Sequence, residues 1–396
     1  MAHREPVIIE AVRTPVGRRG GVLQQWHPVD LLGQTLRTLV DRARVDGALI
    51  DDVITGCVLQ NDEQGGNLGR HAVLAAGLPQ SVPAVTVDRQ CGSGQQAVSF
   101  AAQAIMADCA DLVIACGVES MSRVPMPPAM TPGAPLGPHY SPRELARYSA
   151  DSANGELMAQ GASSELMNAQ FGLSRTELDD FSARSHERAW AATQAGRFAE
   201  QLVPLTIDPA DPASEPITAD EGIRPSIDRE KMATLRTVFA ADGTTTAANS
   251  SQISDGAAAL LIADREFAER HGLAPRARFR ALSVAGADPV IQFTAILDAT
   301  EKALKRSGLT ADDIDLFEVN EAFAGVPLMF QKHFGVPGDK LNVNGGSVAI
   351  GHPLGSTGAR MLTDLLCELE RSSKTLGLQT ICEATGTANA TILERI

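Results

Sequence analysis

Tryptophan and tyrosine are nearly missing from this chain, with two of each among 396 residues. So thin an aromatic set argues against nucleobase stacking as a main business. Positive charge is short as well: 34 Lys+Arg face 48 Asp+Glu, a formal net charge of −14. General attraction to nucleic acid or to an anionic membrane is thereby disfavoured, and no nucleic-acid partner is expected. Any anionic ligand must be held by a local pocket. None of the six cysteines (Cys57, Cys91, Cys109, Cys116, Cys367 and Cys382) belongs to a C-x-x-C pair. A chain of this length needs no disulfide staples, so reduced thiols are expected. No apolar run approaches the roughly 20 residues that span a bilayer. The N-terminal "MAHREPVIIEAVRTP" enters a strand pattern with no apolar signal segment, and the C-terminal "ERI" is no peroxisomal address. The expectation is a soluble, cytoplasmic protein without membrane insertion.

What is present is an alternation of short β-rich runs and helical stretches, the pattern of an α/β fold. "PVIIEAV" precedes the helical "PVDLLGQTLRTLVDRA", then come "DDVITGCVL", "AVTV", a helix after Cys91, and "DLVIACG". The same order returns as "RFRALSVAG", "FTAILDATEKALKRSG", "DDIDLFEVNEAF", a helix after His352, and "LQTICEATG". Asp52 and Asp313 open matching runs, and Cys91 and His352 precede matching small-residue turns; both pairs are 261 residues apart (313 − 52 and 352 − 91). Equal offsets suggest a duplication whose halves would bring Cys91 and His352 face to face. Cys116 and Cys382 are read as sitting at similar strand ends, with the register slipped. Between the halves, Met121 to about Asn249 is rich in proline turns around helices, with Ser174 and Glu177 spaced as a capping box. An insertion this long is expected to cover a ligand.

The chemistry centres on "TVDRQCGSGQQAVSF". A thiol at a helix N-terminus feels the positive end of the macrodipole, which favours thiolate. Gly92, Ser93 and Gly94 allow close approach and are expected to leave backbone N–H groups free for an oxyanion. A buried structural cysteine is the commoner fate of a free thiol, and G-x-G-x-x-A from Gly92 also imitates part of a dinucleotide turn. His352, in "NVNGGSVAIGHPLGSTGAR", could take the Cys91 proton. Asn320, in "EVNEAFAG", could hold a water or donate to an oxyanion; a turn or cap is its plain alternative. Cys382, at a strand end, offers a second thiol that could move protons at carbon if tuned from its reference near about 8.5.

Taken in order, "CGSGQQAV", "VNEAFA", "GGSVAIGHPLGSTGAR" and the C-terminal strand-end cysteine resemble the thiolase family. The likeness runs through nearly the whole chain, including "EAVRTPVGR", "GVESMS", "SRTELDDFSARSHERA" and "NSSQISDGAAA". Ketosynthase relatives share the duplicated fold but lack the NEAF block with a C-terminal catalytic cysteine. The resemblance implies a duplicated five-layer α-β-α-β-α fold with an inserted loop domain. Residues 1–120 plus 250–270 would form the first half, 121–249 the CoA-binding loop domain, and 271–396 the second half.

By the same resemblance, Cys91 would take an acyl group from a 3-ketoacyl-CoA, and His352 would activate it. Asn320 would hold an oxyanion-hole water, and Cys382 would serve as acid/base toward the departing acetyl-CoA carbanion. Gly92, Ala384 and Gly386 would offer backbone donors. Ser251 would touch the pantetheine, and Arg224 would lie near the nucleotide phosphates. Coenzyme A would be a substrate, with no metal or other cofactor, and the assembly a homodimer or homotetramer.

Two departures from the family pattern stand out. Many thiolases carry three consecutive glycines shortly after the second cysteine; here "CEATGTA" has Ala384, Thr385 and Gly386, and Glu383 adds a carboxylate. Acetoacetyl-specific synthetic enzymes carry His-Met where "MAQGASSE" has Ala159 and Gln160. A larger acyl group, as in fatty-acid or steroid side-chain degradation, is therefore expected. The alternatives are a biosynthetic acetoacetyl-CoA thiolase, a non-catalytic acyl-CoA-binding protein, and a dinucleotide enzyme using the Gly92–Gly94 turn.

Overall fold

The apolar, β-branched runs and the helical stretches take the places their patterns assign. The computed structural model describes residues 4–126, 140–148 and 155–396. The first half contains β1 (Pro6–Arg13), β2 (Gly17–Arg18), α1 (Pro28–Ala43), β3 (Asp52–Gly56), α2 (Leu68–Ala75), β4 (Ala84–Val87), α3 (Ser93–Met106) and β5 (Leu112–Ser120). The insertion carries α4 (Pro142–Arg147), α5 (Gln160–Gln170), α6 (Arg175–Gln194), the ribbon β6 (Leu205–Thr206) and β7 (Pro216–Ile217), and α7 (Arg229–Ala233). Then follow β8 (Ser254–Asp264), α8 (Arg265–Arg270), β9 (Ala277–Gly286), α9 (Ala295–Ser307) and β10 (Leu316–Val319). The chain ends with α10 (Gly325–Phe334), α11 (Leu354–Arg371), β11 (Leu376–Glu383) and β12 (Thr387–Arg395). The capping box at α6 forms as its spacing requires: Ser174 Oγ accepts from Glu177 N–H, and Glu177 reaches back to Ser174.

The strands hydrogen-bond in the order β10-β11-β12-β9-β1-β8-β5-β3-β4, with β2 beside β8. Only two residue pairs, Val7 with Arg278 and Ile8 with Ala277, join β1 to β9 across the middle. Alternation along β5 and β8 buries both faces. Leu112, Ile114 and Cys116 face α1 and α2, whereas Val113, Ala115 and Leu260 face α3 and α11. In the second half Leu378, Ala390 and Ile392 pack against α9 and α10. Helices α3 and α11 thus lie between the two halves, and five layers result. Among the described residues no helix is long and apolar enough to cross a membrane.

The duplication is real, but its offset needs correcting. Asp52 opens β3 and Leu316 opens β10, an offset of 264 (316 − 52); Asp313 instead lies in a 3-10 turn (Ala311–Asp313) before the strand. Two aspartates mark the repeat. Asp51 accepts from the N–H groups of Asp111 and Leu112 at 2.7 and 3.1 Å, and Asp315 accepts from those of Thr375 and Leu376 at 3.0 and 2.9 Å. Helices α3 and α11 keep the 261 spacing (354 − 93), because the strand-to-helix connection of the second half is three residues shorter. Cys116 is not at a strand end. It sits mid-strand in β5, in the outer core, 3.1 Å from Thr55 Oγ1.

Where the halves meet, backbone touches backbone. A Cβ on Gly117 would fall 2.1 Å from the Gly355 carbonyl oxygen, and one on Gly358 would fall 2.2 Å from Gln95 N. Only glycine permits that approach. Arg13, of the "EAVRTP" run, is fully buried and holds the insertion to both halves, with Asp220 at 2.7 and 3.0 Å and Asp364 at 3.0 Å.

Candidate active site

Cys91 lies on the turn between β4 and α3, buried against Leu59, Met121 and Leu354. Together with His352 it lines a cavity of about 700 Å³. One wall is the apolar cluster around Cys91, extended by Val58, Met126 and Ile253. Another carries Phe239 and Phe323, edge-on with ring centroids 5.9 Å apart, beside Ser250 and Ser251. Ala159, Gln160 and Gly161 also line it.

The expected macrodipole effect on Cys91 is outweighed. Burial, with Glu383 next, pushes its thiol up to about 12. The expected free N–H groups are also spent: Gly92 donates to the Arg89 carbonyl at 3.1 Å and Ser93 to that of Gln90 at 3.0 Å. Gly92 matters for room instead, since a Cβ there would sit 2.0 Å from Glu383 Oε1.

His352 is presented by the "GHPLG" turn ahead of α11, its N–H donating to the Gln252 carbonyl at 3.1 Å. Its Nδ1 is 2.7 Å from Thr357 Oγ1, whose own hydroxyl donates to the Pro353 carbonyl at 2.8 Å. The Thr357 proton being committed, Nδ1 must carry the imidazole hydrogen, leaving Nε2 as the basic atom. Burial, helped by the Arg360 charge, lowers His352 to about 3. The ring is therefore neutral at physiological pH. Selectively labelled His352, assigned by its loss in His352→Asn, should show imidazole resonances that do not move between pH 5 and 8. A titration midpoint near the ordinary value of about 6.5 would contradict this assignment.

Asn320 follows β10 and donates from Nδ2 to His352 Nε2 at 3.4 Å. Its amide orientation is fixed from behind: Arg360 donates to Ser347 Oγ at 3.2 Å, and Ser347 donates to Asn320 Oδ1 at 2.6 Å. The same Asn320 side chain lies close enough to Cys382 to ease its ionisation. Cys382 is fully buried and does not line the cavity; burial, with Cys91 next, raises its thiol well above the ordinary range. Two neutral thiols and a neutral imidazole are the resting set.

The structure thus brings together Cys91, His352, Asn320 and Cys382, with Ser251 and Ala384 on the cavity wall. Two expected backbone donors do not face the cavity. The Gly92 N–H is engaged as described. Gly386 takes φ +79 and presents its carbonyl to the Ala287 N–H at 2.7 Å, outside the cavity lining. Arg224 is exposed and outside the lining; its backbone N–H donates to His186 Nδ1 at 3.2 Å. Besides Gly386, the positive φ of the "CEATG" turn falls on Thr385, at +63, and not on Ala384.

Sequence reasoning missed Thr357, Ser347 and Arg360, although all three stand inside the quoted "GGSVAIGHPLGSTGAR" block. It also missed Glu119, fully buried, whose carboxylate accepts from the N–H groups of Val58, Leu59 and Gly355 at 3.0, 3.1 and 2.8 Å and from Gln64 Nε2 at 2.7 Å. That carboxylate ties the Cys91 half to the turn bearing His352. No group of three or more His, Cys, Asp or Glu is arranged to hold a metal among the described residues.

Comparison with known proteins agrees over the full length. Residues 6–266 match the family described as "Thiolase, N-terminal domain" and 273–395 match "Thiolase, C-terminal domain". The chain is 47% identical over 392 residues to the steroid 3-ketoacyl-CoA thiolase FadA6 of Mycobacterium tuberculosis, covering 99% of this chain and 94% of that one. It is 44% identical over 396 residues to a 3-ketoacyl-CoA thiolase of Cronobacter sakazakii, covering 98% and 99%. The crystal structure of the Bacillus anthracis acetyl-CoA acetyltransferase superposes with a TM-score of 0.88 at 35% identity, covering 100% of both chains.

Proposed function

The chain belongs to the thiolase family, and from that premise we propose that it cleaves a 3-ketoacyl-CoA with free CoA. The products are acetyl-CoA, or propionyl-CoA, and a shortened acyl-CoA. The observation that carries this reading is His352 Nε2, held basic by Thr357 and opening on the cavity it shares with Cys91.

As the Cys91 sulfur attacks the 3-keto carbon, its proton passes to Nε2 and charge develops on the carbonyl oxygen near Asn320. The carbonyl re-forms, the C2–C3 bond breaks, and Cys382 gives its proton to C2 of the departing acetyl-CoA enolate. Free CoA then loses its thiol proton to the Cys382 thiolate and attacks the acyl-cysteine. Cys91 leaves as thiolate and recovers its proton from His352. Burial of both thiols suits this scheme, because each ionises only within the step that uses it.

In this reading residues 121–249 form the CoA-binding loop domain, Ser251 touches the pantetheine and Arg224 lies near the nucleotide phosphates. The absence of His-Met at Ala159 and Gln160, both on the cavity wall, supports an acyl group larger than acetoacetyl. So does the steroid substrate in the name of the Mycobacterium tuberculosis relative. The enzyme then acts in cytoplasmic degradation of fatty acids or steroid side chains. Strand β4 ends the sheet, with Val85, Phe100 and Met106 exposed nearby, which supports a homodimer or homotetramer.

The test is intact-mass spectrometry after mixing the enzyme, without free CoA, with 3-ketoacyl-CoA esters from four carbons to a steroid side chain. Acyl adducts on Cys91 are expected, forming faster with the larger esters. Preference for acetoacetyl-CoA would favour the biosynthetic alternative, and no adduct with any ester the non-catalytic one.

A further inference from the structure

Glu383 follows Cys382 at the end of β11, and strand alternation sends its side chain the other way, toward the start of α3. The residue is fully buried. Thr387, across the hairpin on β12, donates to its Oε2 at 2.5 Å, while Oε1 has no hydrogen-bond partner. That free oxygen occupies the space a side chain at position 92 would fill, next to the residue that bears the nucleophilic sulfur. Asn389, also on β12, donates to the Gly92 carbonyl at 3.3 Å and so fixes the turn above the carboxyl group. A buried carboxylate with an unpaired oxygen is costly, and the neutral acid avoids that cost.

We propose that Glu383 and Cys91 compete for a single negative charge, so that a neutral Glu383 is the condition for a Cys91 thiolate. The other charged or titratable groups facing the pair are Asp88 and Arg89 from the β4–α3 connection, Cys382 on the same strand, Glu119 on β5, and His352 ahead of α11, which shares the cavity with Cys91 and stays neutral. Arg89 attracts the carboxylate; Asp88 repels it. From β12 only the neutral Thr387 and Asn389 take part. Burial outweighs the Thr387 hydrogen bond and holds the carboxyl at about 8. Below that pH the acid is neutral, and the small thiolate fraction of Cys91 climbs with pH. Above it, the carboxylate takes the charge first, and further alkali no longer raises the thiolate fraction. Glu383 is thus a positioning residue that acts through Cys91, and the inference rests on Cys91 being the nucleophile.

The experiment is alkylation of the intact protein by iodoacetamide, followed peptide by peptide from pH 6.5 to 9.5, with exposed Cys109 as internal reference. Wild-type Cys91 should level off above pH 8, whereas in Glu383→Gln it should keep rising. The variants should agree within about twofold at pH 7 and differ about tenfold at pH 9, each pH unit above the carboxyl pKa being a factor of ten. Superposable profiles would overturn the proposal. Should Glu383→Gln fail to fold, Thr387→Val removes the hydrogen bond that favours the carboxylate. Its levelling should begin at higher pH, and an unmoved onset would overturn the proposal equally. Alkylation needs no acyl transfer, so a failure of the thiolase reading would show separately, as absent acyl adducts.

Discussion

Cys91→Ala should lower CoA-dependent cleavage of 3-ketoacyl-CoA by at least about 10⁴-fold, because no other group can take over the covalent step. Cys382 is already committed as the acid toward C2 and is fully buried behind the cavity lining, so it cannot serve as the nucleophile as well. Cys116 is sealed in the outer core and Cys109 is exposed at the surface. Serine is no substitute, since a hydroxyl is far harder to ionise than a thiol. The fold should survive: loss of one sulfur from an apolar cluster costs on the order of 1 kcal/mol. Melting temperature and CoA-ester binding should therefore stay near wild type while turnover disappears. Retention of more than a tenth of the rate would remove Cys91 from the chemistry.

The second large effect is on stability. Glu119→Gln should be nearly as damaging as Glu119→Ala, because all five of its partners, the Cys57 thiol among them, are donors. A glutamine amide nitrogen would turn N–H toward N–H, and at least one buried backbone donor would lose its acceptor. Hydrogen bonds to a charged group are worth about 1.5–3 kcal/mol each, so a loss of about 3 kcal/mol is expected. With about 2.1 cal/mol/K of unfolding entropy per residue, that lowers the melting temperature by about 3–5 °C. Activity should fall further than stability explains, since the Gly355 N–H belongs to the turn that aims His352. A glutamine variant melting with wild type would show that the carboxylate carries neither load.

The main outline was readable because the chemistry sits where periodicity changes. Cys91 and His352 both stand just ahead of a helix, and small residues make such junctions conspicuous. Asn320 was found through its strand end. What escaped depends on contacts between distant segments. Nothing local announces that Thr357 fixes the tautomer of His352, or that Arg360 orients Asn320 through Ser347. Glu119 lies in a mid-chain strand, and its partners come from Val58, Leu59 and Gly355, brought in only by folding. The ionisation of Cys91 was misjudged for a related reason: the helix terminus is visible in sequence, but the depth of burial that outweighs it is not. The 261-residue offset matched the helices and missed the strands, because the second half is shorter by three residues between them.

The contact of bare backbone at Gly117 and Gly358 has one more consequence. A seam without side chains has no play, so the sulfur of one half and the imidazole of the other behave as parts of a single solid piece. A catalyst welded in this way cannot admit its substrate by parting along that join. Whatever yields to a bulky acyl chain must belong to the walls, which leaves them free to diverge while the machinery between the helices stays fixed.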